Sequence, residues 1–311
     1  MTNDSSRAAA IDLGTNTALL LIATGGTGPF KVVADIAETP RLGAGLATTG
    51  GLAASAVERT MRTLQGFLGR LELERILAKN LRAVGTEVLR RASNADAFVK
   101  HVKSELGLTI EILPAKEEAR LGYTAVASAS TDRRPVVIDV GGGSCELTWE
   151  GGRRRESIPI GALVLTEQFL GLGSQAPKSP GGWPALRARI EQAVEELPEG
   201  CARGVREVVV IGGSAVSLGC LALELSAFDA ARAEGVAITT EAAAGWAEHL
   251  AGLSIAQRRN LPIEADRAEI LPAGAACLAA VLRRIGAAGA RVSARGLRYG
   301  IVMELLYGRG L

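Results

Sequence analysis

The chain has 311 residues, 48% of them hydrophobic and 22% charged, with 35 basic and 33 acidic residues giving a net charge of +2. At roughly 150 residues per domain this is a two-domain globular length, and the balanced charge excludes a polycationic nucleic-acid coat. Aromatic residues make up 4%, too few for a protein that stacks on single strands.

The segment AAAIDLGTNTALLLIAT, Ala8 to Thr24, has two apolar runs around a polar glycine turn and is predicted to be a hairpin of buried strands. A third strand is expected over Lys31 to Ile36. Apolar residues three and four apart predict a helix from Ala53 to Leu73. A short strand follows at Leu81 to Val84. Ser93 reads as the N-cap of a helix ending at Gly107. A strand at Thr109 to Leu113 and a helix at Lys116 to Ser128 come next. The polar run Ser128 to Pro135 reads as a linker.

PVVIDVGGGSCELTWEGG then repeats the opening of the chain. Aligning Asp12 with Asp139 lays IDLGTNTALL over IDVGGGSCEL. An internal repeat of about 127 residues implies two similar domains, each beginning with strand, turn, strand. Leu172 to Trp183 is Gly/Pro-rich and reads as a mobile surface loop. A helix is expected at Ala185 to Leu197. In REVVVIGGSAVSLGCLAL a buried strand, a glycine turn and a helix follow one another, and the remainder is read as mostly helical, ending in GLRYGIVMELLYG. Alternating strands and helices give an α/β class with mixed sheets flanked by helices.

Four cysteines, Cys145, Cys201, Cys220 and Cys277, form no C-x-x-C pair, and only two histidines are present. A disulfide scaffold and a His/Cys zinc site are not expected, and each cysteine reads as a small buried apolar residue. The polar N-terminus has no signal-peptide core and no run reaches the ~18 apolar residues of a membrane span. A cytoplasmic protein with no membrane and no nucleic-acid partner is the expectation.

The chemistry lies in the glycine turns. Small residues let a phosphate approach backbone N–H groups directly. Gly14, Thr15, Asn16 and Thr17 form one such loop, and Gly141, Gly142, Gly143 and Ser144 form the second. Gly212, Gly213 and Ser214 form a third turn at the start of a helix, where free amides favour anions. The carboxylates of Asp12, Asp139 and Glu146 can hold Mg²⁺ against a bound phosphate. Arg283, Arg284, Arg291, Arg295 and Arg298, with a second cluster at Arg153, Arg154 and Arg155, are expected to line the path of a polyanion.

With these motifs the chain resembles the actin-like ATPase superfamily, and within it the exopolyphosphatase / guanosine pentaphosphate phosphohydrolase family in its short two-domain form. AAIDLGTNTALLLIA, RLGAGL at Arg41, GTEVLRRASNADAF at Gly85, EILPAKEEARLGY at Glu111, VVIDVGGGSCEL and VVVIGGSA carry the likeness. The resemblance implies two actin-like (ribonuclease H-like) domains, residues 1–124 and 125–296. The active site would lie in the interdomain cleft, and helix 297–311 would return to the first domain. By the family's E-E-A motif Glu118 is the catalytic base, with Glu117 as the alternative register. Arg90 matches the family's phosphate-binding arginine, and Asp12, Asp139 and Glu146 match its metal-associated carboxylates. Arg267 is carried over less firmly, because Glu269 stands where the family has Asp; Cys145 stands where Thr is common. The implied activity is Mg²⁺-dependent release of orthophosphate from the end of inorganic polyphosphate, with Mn²⁺ and a K⁺-type monovalent ion as further cation candidates, and with a homodimer expected. The alternatives are guanosine pentaphosphate 5′-phosphohydrolase activity, a superfamily kinase, and a non-catalytic sensor of polyphosphate or alarmone.

Overall fold

The computed structural model describes residues 6–26, 28–132, 134–173 and 175–308. The N-terminal tail, Arg133 of the expected linker, Ser174 of the expected loop and the last three residues of the C-terminal segment lie outside the described residues. The chain runs β1 (Arg7–Leu13), β2 (Ala18–Thr24), β3 (Lys31–Glu38), α1 (Leu46–Thr49), α2 (Ala54–Leu73), β4 (Leu81–Gly85), α3 (Glu87–Arg91), α4 (Ala95–Leu106), β5 (Ile110–Ile112) and α5 (Ala115–Ala127). It continues with β6 (Val136–Val140), β7 (Cys145–Trp149), β8 (Arg154–Ile158), α6 (Ala162–Phe169), α7 (Gly182–Val194), β9 (Val208–Ile211), α8 (Gly213–Ala222) and α9 (Ala230–Ala233). The last elements are β10 (Ala237–Thr239), α10 (Thr240–Gly252), α11 (Ile255–Arg259), α12 (Leu271–Ile285), β11 (Gly289–Val292) and α13 (Leu297–Tyr307).

Two compact units form. One is Met1–Ala125 with Gly296–Leu311, and the other is Val126–Arg295. Their sheets share a topology. The first has the order β3-β2-β1-β4-β5, with β1/β2 and β2/β3 antiparallel and β1/β4 and β4/β5 parallel. The second, read from β8, has β8-β7-β6-β9-β11 with the same senses, plus β10 added antiparallel to β11. The sequence repeat is therefore a repeat of strand pairing.

In the first unit β1 is buried on both faces, which is why it reads as a continuous apolar run. Ala9, Ile11 and Leu13 face a core with Leu64, Phe67 and Leu71 of α2, while Ala8 and Ala10 face Ile301 and Val302 of α13. That alternation puts Asp12 on the α13 side. Helix α2 buries Ala56, Thr60, Leu64, Phe67 and Leu71, the stripe its periodicity predicts. Helix α13 crosses α5 closely at Gly300: a Cβ there would lie 2.2 Å from Leu121 O and 2.7 Å from its carbonyl carbon. Gly300→Ala is expected to destabilise the protein by roughly 1–3 kcal/mol, the usual cost of overpacking. An unchanged melting temperature would show that the crossing tolerates a methyl group.

Sequence and structure differ at several elements. The α4 N-cap is Asn94, not Ser93, and Asn94 uses its side chain to bridge Leu52, accepting from Leu52 N at 2.7 Å and donating to Leu52 O at 3.0 Å. The expected mobile loop at Leu172–Trp183 is tied down. Gly173 N donates to Glu269 at 3.1 Å, Ser179 N donates to Gln168 O at 2.7 Å, and Lys178 pairs with Glu167 at 3.2 Å. Strands β8, β10 and β11 and helix α6 were not expected at all. Cys145, Cys220 and Cys277 are buried and Cys201 is half-buried, all as thiols. No described helix is long and apolar enough to cross a membrane.

In the second unit Glu207 accepts from Arg291 Nε at 2.6 Å, Asp132 N at 3.1 Å and Thr131 Oγ1 at 3.3 Å. Burial alone would raise the Glu207 carboxyl, but the Asp132 amide and the Arg291 guanidinium outweigh it and hold the group below its ordinary value. A depressed carboxylate stabilises the fold above its unfolded pKa, and that contribution is lost as pH falls through the folded value. Glu207→Gln should therefore lower the melting temperature at pH 7, and the gap from wild type should narrow below about pH 4. A gap independent of pH would contradict the assignment.

Candidate active site

The loop after β1 is shaped by one hydrogen bond, Gly14 N to Thr17 O at 3.0 Å. The loop after β6 has the same bond, Gly141 N to Ser144 O, also at 3.0 Å. In both, a Cβ on the glycine would lie 3.1 Å from the accepting carbonyl. The amides of Thr15 and Asn16 in the first loop, and of Gly142, Gly143 and Ser144 in the second, make no hydrogen bond among the described residues. Consecutive unpaired N–H groups in a turn form an anion nest. Asn16 is 3% exposed and its Oδ1 has no partner, a polar atom that a ligand or its water would satisfy.

Thr15 and its neighbours tie the first loop to Arg90. Thr15 Oγ1 donates to Glu87 Oε2 at 3.2 Å, and Thr86 donates to Leu13 O through its amide at 3.2 Å and its hydroxyl at 3.3 Å. Glu87 opens α3, whose Arg90 Nη1 donates to Glu118 Oε2 at 2.6 Å and to Leu113 O at 2.8 Å. The two residues assigned to base and phosphate clamp are thus brought together. Both side chains are 24% exposed. The Nε and Nη2 donors of Arg90 have no partner among the described residues, leaving a guanidinium edge suited to a phosphate fork. Glu117, one residue earlier on α5, accepts from Arg120 at 2.8 Å through both oxygens, and Arg120 also bonds Glu304 of α13. Tertiary contacts therefore separate the two neighbouring carboxylates: Glu117 faces α13 and Glu118 faces Arg90.

Helix α6 fixes the second loop. The first amides of α6 donate back to it: Ala162 N to Gly141 O at 3.0 Å, Leu163 N to Gly142 O at 3.0 Å and Val164 N to Gly142 O at 3.1 Å. With these carbonyls held on the α6 side, the loop amides remain for a ligand. Gly161 makes the approach possible, since a Cβ there would lie 2.2 Å from Gly142 O and 2.3 Å from Gly143 N. Sequence reasoning missed Gly161 and α6.

Asp139 and Glu146 are directly opposed partners across β6 and β7. Glu146 Oε1 accepts from Ser144 Oγ and, at 3.1 Å, from Ser157 Oγ. Asp12 has no such counterpart, because Leu19 pairs with it in β2. No group of three or more metal-ligating side chains occurs among the described residues. Two opposed carboxylates beside an open amide nest still suit Mg²⁺, which keeps water and phosphate oxygens as ligands.

The third turn lies against the second loop: a Cβ at Gly212, whose φ is 94°, would sit 2.8 Å from Val140 O and 3.1 Å from Asp139 Oδ1. At Gly213 it would overlap the Arg267 guanidinium, 1.8 Å from Cζ. Arg267 is 7% exposed and bonds Glu264. Ser214 is 1% exposed with no partner for Oγ. The structure thus places Gly212, Gly213, Ser214 and Arg267 together with Asp139. Glu269 holds Gly173 and pairs with Arg259 at 3.5 Å.

Four of the five C-terminal arginines expected to line a polyanion path have acceptors close by. Arg283 pairs with Glu191 at 3.1 Å, Arg284 donates to Leu197 O at 2.9 Å and to Glu195 O at 3.1 Å, and Arg291 pairs with Glu207. Arg298 binds both oxygens of Asp35, at 2.8 and 2.9 Å, and lies 5.0 Å from the Tyr299 ring centroid. These charges are spent on local partners. Arg154 of the second cluster lies on edge strand β8 with Glu150 at 3.7 Å.

A profile described as the Ppx/GppA phosphatase family matches residues 21–308, which include Arg90, Glu118, the second and third loops and Arg267. A guanosine-5′-triphosphate,3′-diphosphate pyrophosphatase of Aeromonas salmonicida is 29% identical over 308 residues. That stretch is 96% of this chain and 59% of the relative, so the chain spans less than two thirds of the curated relative's length. The crystal structure of the Aquifex aeolicus Ppx/GppA family member shares 27% identity, with TM-score 0.77 over 98% of this chain and 99% of that one. An exopolyphosphatase-like protein of known structure shares 26% identity, with TM-score 0.83 over 98% of this chain and 99% of that one. An exopolyphosphatase structure from Cytophaga hutchinsonii, at 20% identity and TM-score 0.82 over 97% of this chain and 98% of that one, shares the fold.

Proposed function

The chain belongs to the Ppx/GppA phosphatase family, and from that premise we propose that it hydrolyses the terminal phosphoanhydride bond of inorganic polyphosphate, releasing orthophosphate. The observation that carries this reading is the Arg90–Glu118 pair. It sets a carboxylate at 2.6 Å from a guanidinium whose remaining edge is open. The guanidinium binds the terminal phosphate and the carboxylate orients a water toward its phosphorus. The water oxygen forms the new P–O bond, its proton passes to Glu118, and the bridging P–O bond breaks, its electrons leaving with the shortened chain. Within the second unit, the second-loop amides of Gly142, Gly143 and Ser144 and the third turn are the groups suited to phosphoryl oxygens. Asp139 and Glu146 would hold Mg²⁺, which when bound neutralises phosphate charge. Asp12, at the end of β1, is the further carboxylate assigned to metal in the first unit.

A second reading, favoured by the likeness to the Aeromonas guanosine-5′-triphosphate,3′-diphosphate pyrophosphatase, is that this chain removes the terminal 5′ phosphate of guanosine pentaphosphate. The same attack serves both substrates. Orthophosphate release from long-chain polyphosphate and from guanosine pentaphosphate, each with Mg²⁺, tests the choice. A higher kcat/KM on polyphosphate supports the first reading, and release from the nucleotide alone moves the protein to the second. Binding of either without release would make it a sensor.

A further inference from the structure

Besides Arg90, the motif GTEVLRR carries two charged residues, Glu87 and Arg91, that have no role in the reaction described above. Both lie in the first unit and both are bonded. Thr15 Oγ1 of the first phosphate loop donates to Glu87 Oε2 at 3.2 Å, and Arg91 Nη1 donates to Glu87 Oε1 at 2.7 Å. Each oxygen of the carboxylate is thus engaged, and the side chain is 17% exposed. An acid set against an anion-binding loop opposes the binding of phosphate by Coulomb repulsion. The Arg91 guanidinium offsets that charge, and what the carboxylate adds is its hold on Thr15.

That hold completes the fixing of one residue. Thr15 is 7% exposed. Its carbonyl accepts from Gly43 N at 2.9 Å. Its methyl occupies space that Gly43 leaves open, since a Cβ on Gly43 would lie 2.4 Å from Thr15 Cγ2. With the hydroxyl on Glu87, the amide is the one polar group of Thr15 that makes no bond among the described residues. A threonine packed at its methyl and bonded at its hydroxyl keeps one rotamer. The same short helix grips the loop a second time: Thr86 donates to Leu13 O through its amide at 3.2 Å and its hydroxyl at 3.3 Å. Arg90 N in turn donates to Thr86 O at 3.2 Å. Consecutive residues therefore anchor the loop at Leu13 and Thr15, and the turn of helix they open carries Arg90.

We propose that Glu87 is a positioning residue for the phosphoanhydride reaction: it aims the Thr15 amide at a phosphate oxygen and keeps the first loop in register with the Arg90 guanidinium. The inference rests on the phosphoanhydride reading above. A carboxylate suits the task because an ionised acceptor makes the stronger bond to a hydroxyl. Glutamine at this position can still accept from Thr15, and alanine cannot.

A double-mutant cycle tests it. Glu87→Ala should raise KM for polyphosphate about ten- to hundredfold, the usual cost of removing a hydrogen-bond partner that orients a ligand-binding group, with kcat changed less. Thr15→Val, which deletes the hydroxyl and keeps the shape, should give the same rise. The double variant should be no weaker than either single one, because both break one bond. Glu87→Gln should recover most of the loss. Calorimetric titration of the same variants with Mg²⁺ and a carbon-bridged tripolyphosphate analogue, which cannot be hydrolysed, should repeat the pattern in Kd. An unchanged Kd and KM in Glu87→Ala overturns the inference, and so do losses that multiply in the double variant. Glu87→Gln as weak as Glu87→Ala also overturns it: both lose the ion pair with Arg91, so the bond to Thr15 would not be what matters. Absence of phosphate release by wild type would instead overturn the catalytic reading, and the titration cycle would still decide whether Glu87 positions Thr15.

Discussion

Glu118→Gln should lower kcat about 10²–10⁴-fold, the range a positioned base contributes, while leaving the melting temperature near wild type. The amide keeps the size of the side chain and can still accept from Arg90 Nη1, now 2.6 Å from the carboxylate. It can no longer take a proton from water. KM should change little, because the phosphate contacts are proposed to lie at the Arg90 edge and the loops rather than at Glu118. Glu117→Gln is the control: that carboxylate is bonded to Arg120, on the side of α13. Its loss should act on stability, by breaking one member of the Arg82, Glu111, Glu117, Arg120 and Glu304 network, and should leave most of kcat intact. If Glu117→Gln and Glu118→Gln exchange these phenotypes, the base has been placed one residue too far along the helix.

Gly161→Ala should reduce kcat/KM by about 10²-fold or more, a loss on the scale expected when a reacting group is misplaced by about 1 Å. Gly161 has φ of −102°, so its backbone suits any residue, and the obstacle is space alone. The added methyl would meet Gly142 O, Gly142 C and Gly143 N at 2.2–2.3 Å. All three are backbone atoms of the second loop, so no side chain can rotate away. Either α6 withdraws and gives up the bonds from Ala162, Leu163 and Val164, or the loop turns its amides out of register. Both spoil the nest. Gly213→Ala is a milder comparison, since its methyl meets the flexible end of Arg267. Near wild-type turnover in Gly161→Ala would mean that the second loop takes no part in the reaction.

What the sequence made legible was whatever breaks an apolar pattern. Asp12 and Asp139 stand at the ends of strands buried on both faces, and the glycines after them have no apolar reading, so the repeat and both loops could be found by alignment. Helix α6 could not: ALVLTEQF is apolar around most of its surface, and without a polar face there is no periodicity to read. Strand β8, RRESI, is a polar edge strand that reads as a cluster of charge. Strands β10 and β11 have three and four residues, too short for alternation to show. The arginines of the C-terminal third illustrate a different limit. Their number is visible in sequence, but Glu191, Glu207 and Asp35, which neutralise them, are far away in the chain. The same limit separates Glu117 from Glu118, adjacent acids in one helical turn: Glu118 bonds Arg90 of α3, while Glu117 bonds Arg120 of its own helix, which Glu304 of α13 also holds.

If water attacks the terminal phosphorus as proposed, hydrolysis in ¹⁸O-labelled water shows where the new P–O bond forms. Guanosine pentaphosphate or polyphosphate, Mg²⁺ and wild-type protein should give orthophosphate carrying one ¹⁸O, with none in the shortened product, and Glu118→Gln should slow its appearance by the factor given above. Label in the shortened chain would rule out attack at the terminal phosphorus, and release at an equal rate by Glu118→Gln would rule out Glu118 as the base.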